Sequence, residues 1–269
     1  MALNSVILKK AQMRLSHVVG WSLYDLANTS FSALIVSIFF PILIIDYLGG
    51  NEFHVGLVMG ISLLMAACVV PGLGSLSDHL GIKKPFIVVF TALCVLLTAL
   101  IPFFELKVAL VIMLFANFFY HAALDIYDSY LHHLAGKSNW GWISGVGVAA
   151  GYLGTLLSIV MALLVLHKLG DTQIATIVMF PLTAVFFLVF SLFLFFMVPD
   201  TQRSELSLKH SIKGSVRQVL DTVTSIRKYK ELWKFFAASL LYVDALNTVI
   251  IFLFLFGKTV LHLEVQDFL

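Results

Sequence analysis

Charged side chains are scarce in this 269-residue chain, where Asp, Glu, Lys and Arg make up 12% of the residues, against about 25% in a soluble domain. With 60% hydrophobic residues and a mean hydropathy of +1.00, that scarcity excludes an ordinary soluble globular fold and makes the lipid bilayer the expected partner of most of the surface. A formal net charge of +2 is too small for a nucleic-acid-binding surface. Only two cysteines are present, Cys68 and Cys94, both within apolar runs, so no disulfide framework is indicated and no metal is expected. No nucleophile elbow, metal-ligand spacing or phosphate-cradling glycine loop accompanies the Ser, His and Asp residues, so neither an enzyme nor a cofactor is expected. The apolar run after Lys9, Lys10 and Arg14 is too long for a signal-peptide core and reads as a retained first span.

What the chain has in abundance is long apolar runs. A helix needs about 20 such residues to cross a hydrocarbon core of about 30 Å, and seven runs meet that length: Val18–Ile45, Val55–Ser77, Phe86–Phe104, Val108–Leu131, Ile143–His167, Ile174–Val198 and Leu232–Gly257. If the N-terminus is cytoplasmic, fourteen of the seventeen Lys and Arg residues fall in inner segments and only Lys107, Lys168 and Lys258 in outer ones. That asymmetry places the N-terminus inside, in an integral multi-pass protein of the plasma (inner) membrane if the source is prokaryotic. Between Asp200 and Glu231 the composition turns polar and basic, and Ile212, Val216, Val219, Val223 and Ile226 recur at helical spacing, as in an amphipathic helix on the inner leaflet.

Acidic residues inside the spans are the informative exceptions. Asp25 and Asn28 follow Tyr24 in the first span, and the same Asp-x-x-Asn-Thr pattern returns in the seventh as Asp244 and Asn247, two residues after Tyr242. The recurrence predicts a duplicated helical bundle. Residues three apart share a helix face, and a carboxylate at membrane depth is costly unless it faces protein or water, so both pairs are expected to face inward. Counting from the cytoplasmic entry at about 1.5 Å per residue, Asp25 falls short of the bilayer midplane, on its cytoplasmic side. Two roles stand open for the pairs: hydrogen-bonded glue between helices, or a site for a proton, a cation or the ammonium group of a solute. His121, Asp125 and Asp128 near the end of the fourth span are secondary candidates, as is Tyr152 among the glycines of the fifth. Gly147, Gly151 and Gly154 strip side chains from one side of that span and predict close helix packing.

Between the second and third spans the chain reads GSLSDHLGIKKP. Gly81 suits a tight turn, Lys83 and Lys84 suit the inner headgroup region, and Asp78 is free to take a positive partner. With Gly74, Leu76, Asp78, Gly81, Lys83 and Lys84 in register, the loop resembles the cytoplasmic signature of the major facilitator superfamily. WSLYDLANTSF in the first span, YDSYLHHLA at Tyr127–Ala135 and SGVGVAAGYLG at Ser144–Gly154 further resemble its vacuole-effluxer-like branch. The resemblance implies a gating role for the loop and alternating-access transport of a small solute, with amino acids as the lead and a coupling ion as a further partner. The fourth span lacks the embedded arginine of many proton-coupled members.

The expected architecture is therefore an all-α membrane protein: a major facilitator-type N-terminal six-helix bundle over residues 1–199, a basic linker over 200–231, and the start of a second bundle over 232–269. On this reading the chain is a fragment whose partner is the C-terminal half of the same protein. A seven-helix receptor would place its N-terminus outside, against the charge distribution. A channel would need a selectivity element that the sequence does not offer.

Overall fold

The computed structural model describes residues 15–134, 136–200, 230–261 and 265. The basic residues of the N-terminal segment and nearly all of the amphipathic linker lie outside the described residues. Seven long helices are found among those that are described: α1 (Leu15–Tyr47), α2 (Glu52–Leu80), α3 (Lys84–Leu100), α4 (Leu106–Ser129), α5 (Trp140–Leu169), α6 (Thr172–Met197) and α7 (Lys230–Val260). Each expected span corresponds to one helix, and no strand occurs among the described residues. The first six are long and apolar enough to cross a bilayer, and the 31-residue α7 matches them in length. Helix is what such sequences must form in lipid, because only intrahelical bonds satisfy every backbone N–H and C=O there.

The turns between helices are built from local chemistry. Asn51 starts α2 by accepting the amide of His54 at 3.3 Å while His54 Nδ1 accepts the Asn51 amide at 3.2 Å, a reciprocal cap. Asp171 starts α6 by accepting the amides of Gln173 and Ile174 at 2.8 and 3.0 Å. Gly81 ends α2 with φ +65°, a left-handed conformation that glycine adopts without steric penalty. The amides of Gly81 and Ile82 then turn back onto the carbonyls of Asp78 and Ser77.

α1 is the axis of the bundle. Of its apolar stretch 67% is buried, against 22% for that of α5, and it packs most extensively on α5 and α6. α4 pairs with α2 and α3, and α3 with α6. The backbone of α1 widens into π-helical turns at Phe31–Phe39 and Leu43–Tyr47, on either side of Pro41. Proline has no N–H to give and its ring crowds the preceding turn, so the wider register accommodates it without ending the helix.

Glycines on α5 let that helix reach α1. A Cβ at Gly147 would stand 2.6 Å from the Trp21 ring, one at Gly151 would stand 2.9 Å from Thr29 Oγ1, and one at Gly154 would overlap the Leu26 carbonyl. Small residues at a crossing allow backbones to meet, and van der Waals contact at that range is what holds helices together in lipid. α1 meets α4 differently, through rings. Trp21 stacks on Tyr127 at 4.7 Å and 11°, the Tyr127 hydroxyl donates to the Trp21 carbonyl at 3.0 Å, and Trp21 Nε1 donates to the Tyr127 carbonyl at 3.4 Å. Gly154→Ala is expected to lower the melting temperature of the detergent-purified protein by several degrees, since overpacking against backbone costs about 1–3 kcal/mol. Gly145→Ala, whose Cβ meets nothing within 4 Å, is expected to leave it unchanged or slightly raised; thermal unfolding of the two variants side by side checks the contrast.

Candidate solute cavity and the turn network

The end of the bundle from which α1 sets out is called the near end below, and the opposite one the far end. A cavity of about 530 Å³ lies between the helices, extending from their middle toward the far end. Its walls come from α1 (Thr29, Ser32 and Ser37 among others), the far half of α2, the middle of α4, Thr155 at the middle of α5, and α7 at Thr248 and Phe252. None of the described wall residues is Asp, Glu, Lys or Arg. The polar wall is hydroxyl, amide and imidazole, interleaved with Met59, Leu63 and Val36. A volume of that size and a largely apolar wall with a few convergent polar groups suit a small organic solute.

Of the candidate residues named from the sequence, His121 stands on this wall, as do Thr29 and Thr248, the threonines that close the recurring Asp-x-x-Asn-Thr pattern. Asp25 lies about one helical turn nearer the near end than Thr29 and the cavity floor, and Asn28 is the residue before Thr29. Asn28 is buried and donates to Asp25 Oδ1 at 3.3 Å, while Asp25 Oδ2 lies 3.2 Å from where a Cβ on Gly147 would stand. The carboxylate is thus received by the glycine face of α5, with Asp128 as an acidic neighbour that also adjoins Asp125. Asp125 and Asp128 are both exposed. Tyr24, expected along a solute pathway, is instead core: it is 1% exposed and its hydroxyl is hydrogen-bonded to Thr91 at 2.8 Å. Tyr152 and Tyr242 point away from the packed interior, at 71% and 66% exposure. The side chains of Asp244 and Asn247 lie outside the described residues; their backbones belong to α7. The next residue, Thr248, is on the cavity wall.

Sequence reasoning passed over Ser32, Ser37, Asn117 and Thr155. Single hydroxyl residues in a span look like packing, and nothing in their spacing marks a shared wall. One signal was available in Asn117, an amide at mid-span in a helix that otherwise runs apolar from Val108 to Phe119.

The turn that carries the superfamily signature is arranged differently from expectation. Lys83 does not reach a headgroup region; it is 4% exposed, pairs with Asp78 at 2.6 Å and donates to Ser129 Oγ at 2.6 Å. The positive partner of Asp78 is therefore a residue of its own turn. Lys84 donates to the Val198 carbonyl at the end of α6, at 2.7 Å. In return Asp200 Oδ1 accepts the amides of Lys83 and Lys84 at 3.0 and 3.1 Å, at the start of α3. A carboxylate at a helix start and an ammonium at a helix end both agree with the helix dipoles. Tyr130 adds its hydroxyl to Asp200 Oδ1 at 3.1 Å, and Ser77 Oγ donates to the Gly74 carbonyl at 2.8 Å. The near ends of α2, α3, α4 and α6 are tied together by these groups.

A bundle of membrane-length helices around a mid-depth cavity, with this turn between α2 and α3, is a membrane protein of the major facilitator type. Residues 52–269 match the vacuole effluxer Atg22-like family, and the chain belongs to it. It is similar to an uncharacterized MFS-type transporter, YxiO, of Bacillus subtilis (strain 168), at 24% identity over 86% of this chain and 58% of that one. It is also similar to an uncharacterized protein of Aquifex aeolicus (strain VF5), at 29% identity over 60% of this chain and 41% of that one. The chain thus matches about half the length of these relatives. No solved structure matches it.

Asp78→Asn is expected to destabilise the protein by about 1–3 kcal/mol, because it removes the charge partner of a buried ammonium; the value is kept below that of a fully buried pair because Asp78 itself is half exposed. Glu231→Gln, which breaks an exposed pair with Lys234, is expected to have no measurable effect. Denaturation midpoints of the two variants measured against the parent give the comparison.

Proposed function

We propose that the chain is the solute-binding half of a secondary transporter that works by alternating access, with its solute held in the cavity between α1, α2, α4, α5 and α7. The cavity carries the reading: it lies at mid-depth, where a carrier must hold a solute that is reachable from either side in turn. Amino acids are the solute class implied by the family resemblance, and membership in a vacuole effluxer-like family supports it. The near end, with the Asp78 turn and the start of the basic linker, is assigned to the cytoplasm by the distribution of Lys and Arg. In this proposal residues 1–199 form one bundle, 200–231 a linker, and 232–269 the start of a second bundle that closes the cavity from the α7 side. The paired Asp25 and Asp244 then serve as a site for a proton or other coupling cation beside the solute path.

A second reading is favoured by one contact. Asp25 is held by Asn28 of its own helix and by the glycine face of α5, as an acid that fastens two helices would be. Reconstitution into liposomes, with the chain joined to the rest of the second bundle that this proposal implies, separates the two. Saturable uptake of labelled L-leucine, L-alanine or L-glutamine without unitary currents is the expected result, and no uptake of any of them would remove the amino-acid reading. Asp25→Asn and Asp244→Asn are each expected to lower the rate at least about ten-fold, the scale on which an essential ionised group acts. Unchanged rates and an unchanged pH profile in both would leave Asp25 as helix-fastening only.

A further inference from the structure

The cavity wall is polar in one particular sense. Thr29 Oγ1 donates its hydrogen to the Asp25 carbonyl at 2.7 Å, Ser32 Oγ to the Thr29 carbonyl at 3.0 Å, Ser37 Oγ to the Ser32 carbonyl at 3.0 Å, and Thr155 Oγ1 to the Gly151 carbonyl at 3.3 Å. A hydroxyl has one hydrogen and two lone pairs. With the hydrogen committed to the helix backbone, Thr29, Ser37 and Thr155 can offer the cavity only an acceptor, while Ser32 also adjoins the Tyr120 hydroxyl. The same holds across the cavity at Asn117, which is 3% exposed. Ser62 donates to the Met59 carbonyl at 2.9 Å, so its oxygen is an acceptor, and Asn117 Nδ2 donates to it at 2.7 Å. This sets the carboxamide with its nitrogen toward α2 and its oxygen on the other branch. That oxygen has no hydrogen bond among the described residues. Asn117 lines the cavity, and with its nitrogen held at Ser62 the oxygen is the branch left for that space.

We propose that the cavity recognises its solute by an ammonium group, received by neutral oxygen acceptors, with the Asn117 carboxamide oxygen as the fixed one. The inference rests on the solute-carrier reading above and adds which end of the solute is read. An ammonium brings three donors and no acceptor, the complement of a wall of committed hydroxyls. The described wall holds no Lys or Arg to repel it or to pair with a carboxylate, whereas Asp25 lies one turn beyond the floor and contributes negative potential. A carboxylate entering the same space would find those four hydroxyls already spent and no cation to pair with, leaving only neutral donors such as Tyr120 and His121 to offset its desolvation.

Equilibrium binding of three radiolabelled probes to the purified chain in nanodiscs tests this: L-leucine, its amide leucinamide, which lacks the carboxylate, and 4-methylpentanoate, which lacks the amine. Leucine and leucinamide are expected to bind, and 4-methylpentanoate at least about ten-fold more weakly, the worth of a charge-assisted hydrogen bond left unmade. Asn117→Leu is expected to weaken leucinamide by at least about ten-fold, while Asn117→Asp, which keeps an oxygen in place, binds it as well as or better than the parent. Unchanged melting temperatures in both variants exclude misfolding as the cause, and Ser62→Ala, which frees the carboxamide to turn, supplies a milder variant expected to weaken binding a few-fold. Binding of 4-methylpentanoate as tight as leucinamide, or leucinamide binding unaffected by Asn117→Leu, overturns the proposal and leaves the transporter reading standing. Failure of all three probes to bind, together with absent uptake in liposomes, overturns both.

Discussion

The approach of α5 to α1 is the constraint on which the rest of the bundle depends. At Gly154 the α5 backbone lies directly against the main chain at Leu26, and Gly147 and Gly151 continue the contact along the same side of the helix. In lipid no hydrophobic effect drives helices together, so contact area at close range must do it, and glycine removes the side chains that would prevent it. Because α5 comes so near, α1 is enclosed on that side and on the side of α6. The glycine face of α5 then receives Asp25 and Thr29, and the cavity borders Thr29, Ser32 and Ser37.

That division gives α1 two functional registers along one helix. Near its start, where it is α-helical, Trp21 and Tyr24 lock against Tyr127 and Thr91, and the acid Asp25 is held by neighbours. Further along it is π-helical, and here the hydroxyls line open space. The widened register is visible in the side chains: Ser37 bonds back to the carbonyl five residues earlier, at Ser32, where an α-helical serine would reach three or four back. The wider turn accommodates Pro41, and it sets Ser32 and Ser37 on the same wall as Thr29.

At the near end the polar groups form a fastening and not a headgroup anchor. Asp200 sits on the start of α3 and Lys84 on the end of α6, so each helix end is met by the charge its dipole favours. Lys83, between Asp78 and Ser129, joins the ends of α2 and α4 to the same group. Four helices thereby share one network.

Membership in the class was legible from the residues themselves, because crossing a membrane imposes run lengths, charge placement and backbone satisfaction that are properties of short contiguous segments. The seven helices, the turn at Gly81 and the close-packing pattern of Gly147, Gly151 and Gly154 all belong to that kind of information, as does the rarity of an acid such as Asp25 inside a span. What only the tertiary structure decided is which polar groups share a space. Asp25 and Thr29 are one turn apart and both meet the glycine face of α5, yet only Thr29 also borders the cavity, because that is set by where neighbouring helices stand. Tyr24 looked like a pathway residue beside its acid and is core, since Thr91 and Tyr127 occupy the space around it. Asn117 is one amide in an apolar run by sequence, but its nitrogen is held by Ser62, 55 residues away, and its side chain lines the cavity. Periodicity describes a helix face, but a binding wall is assembled from several helices, and their mutual rotation is fixed by packing that no single segment encodes.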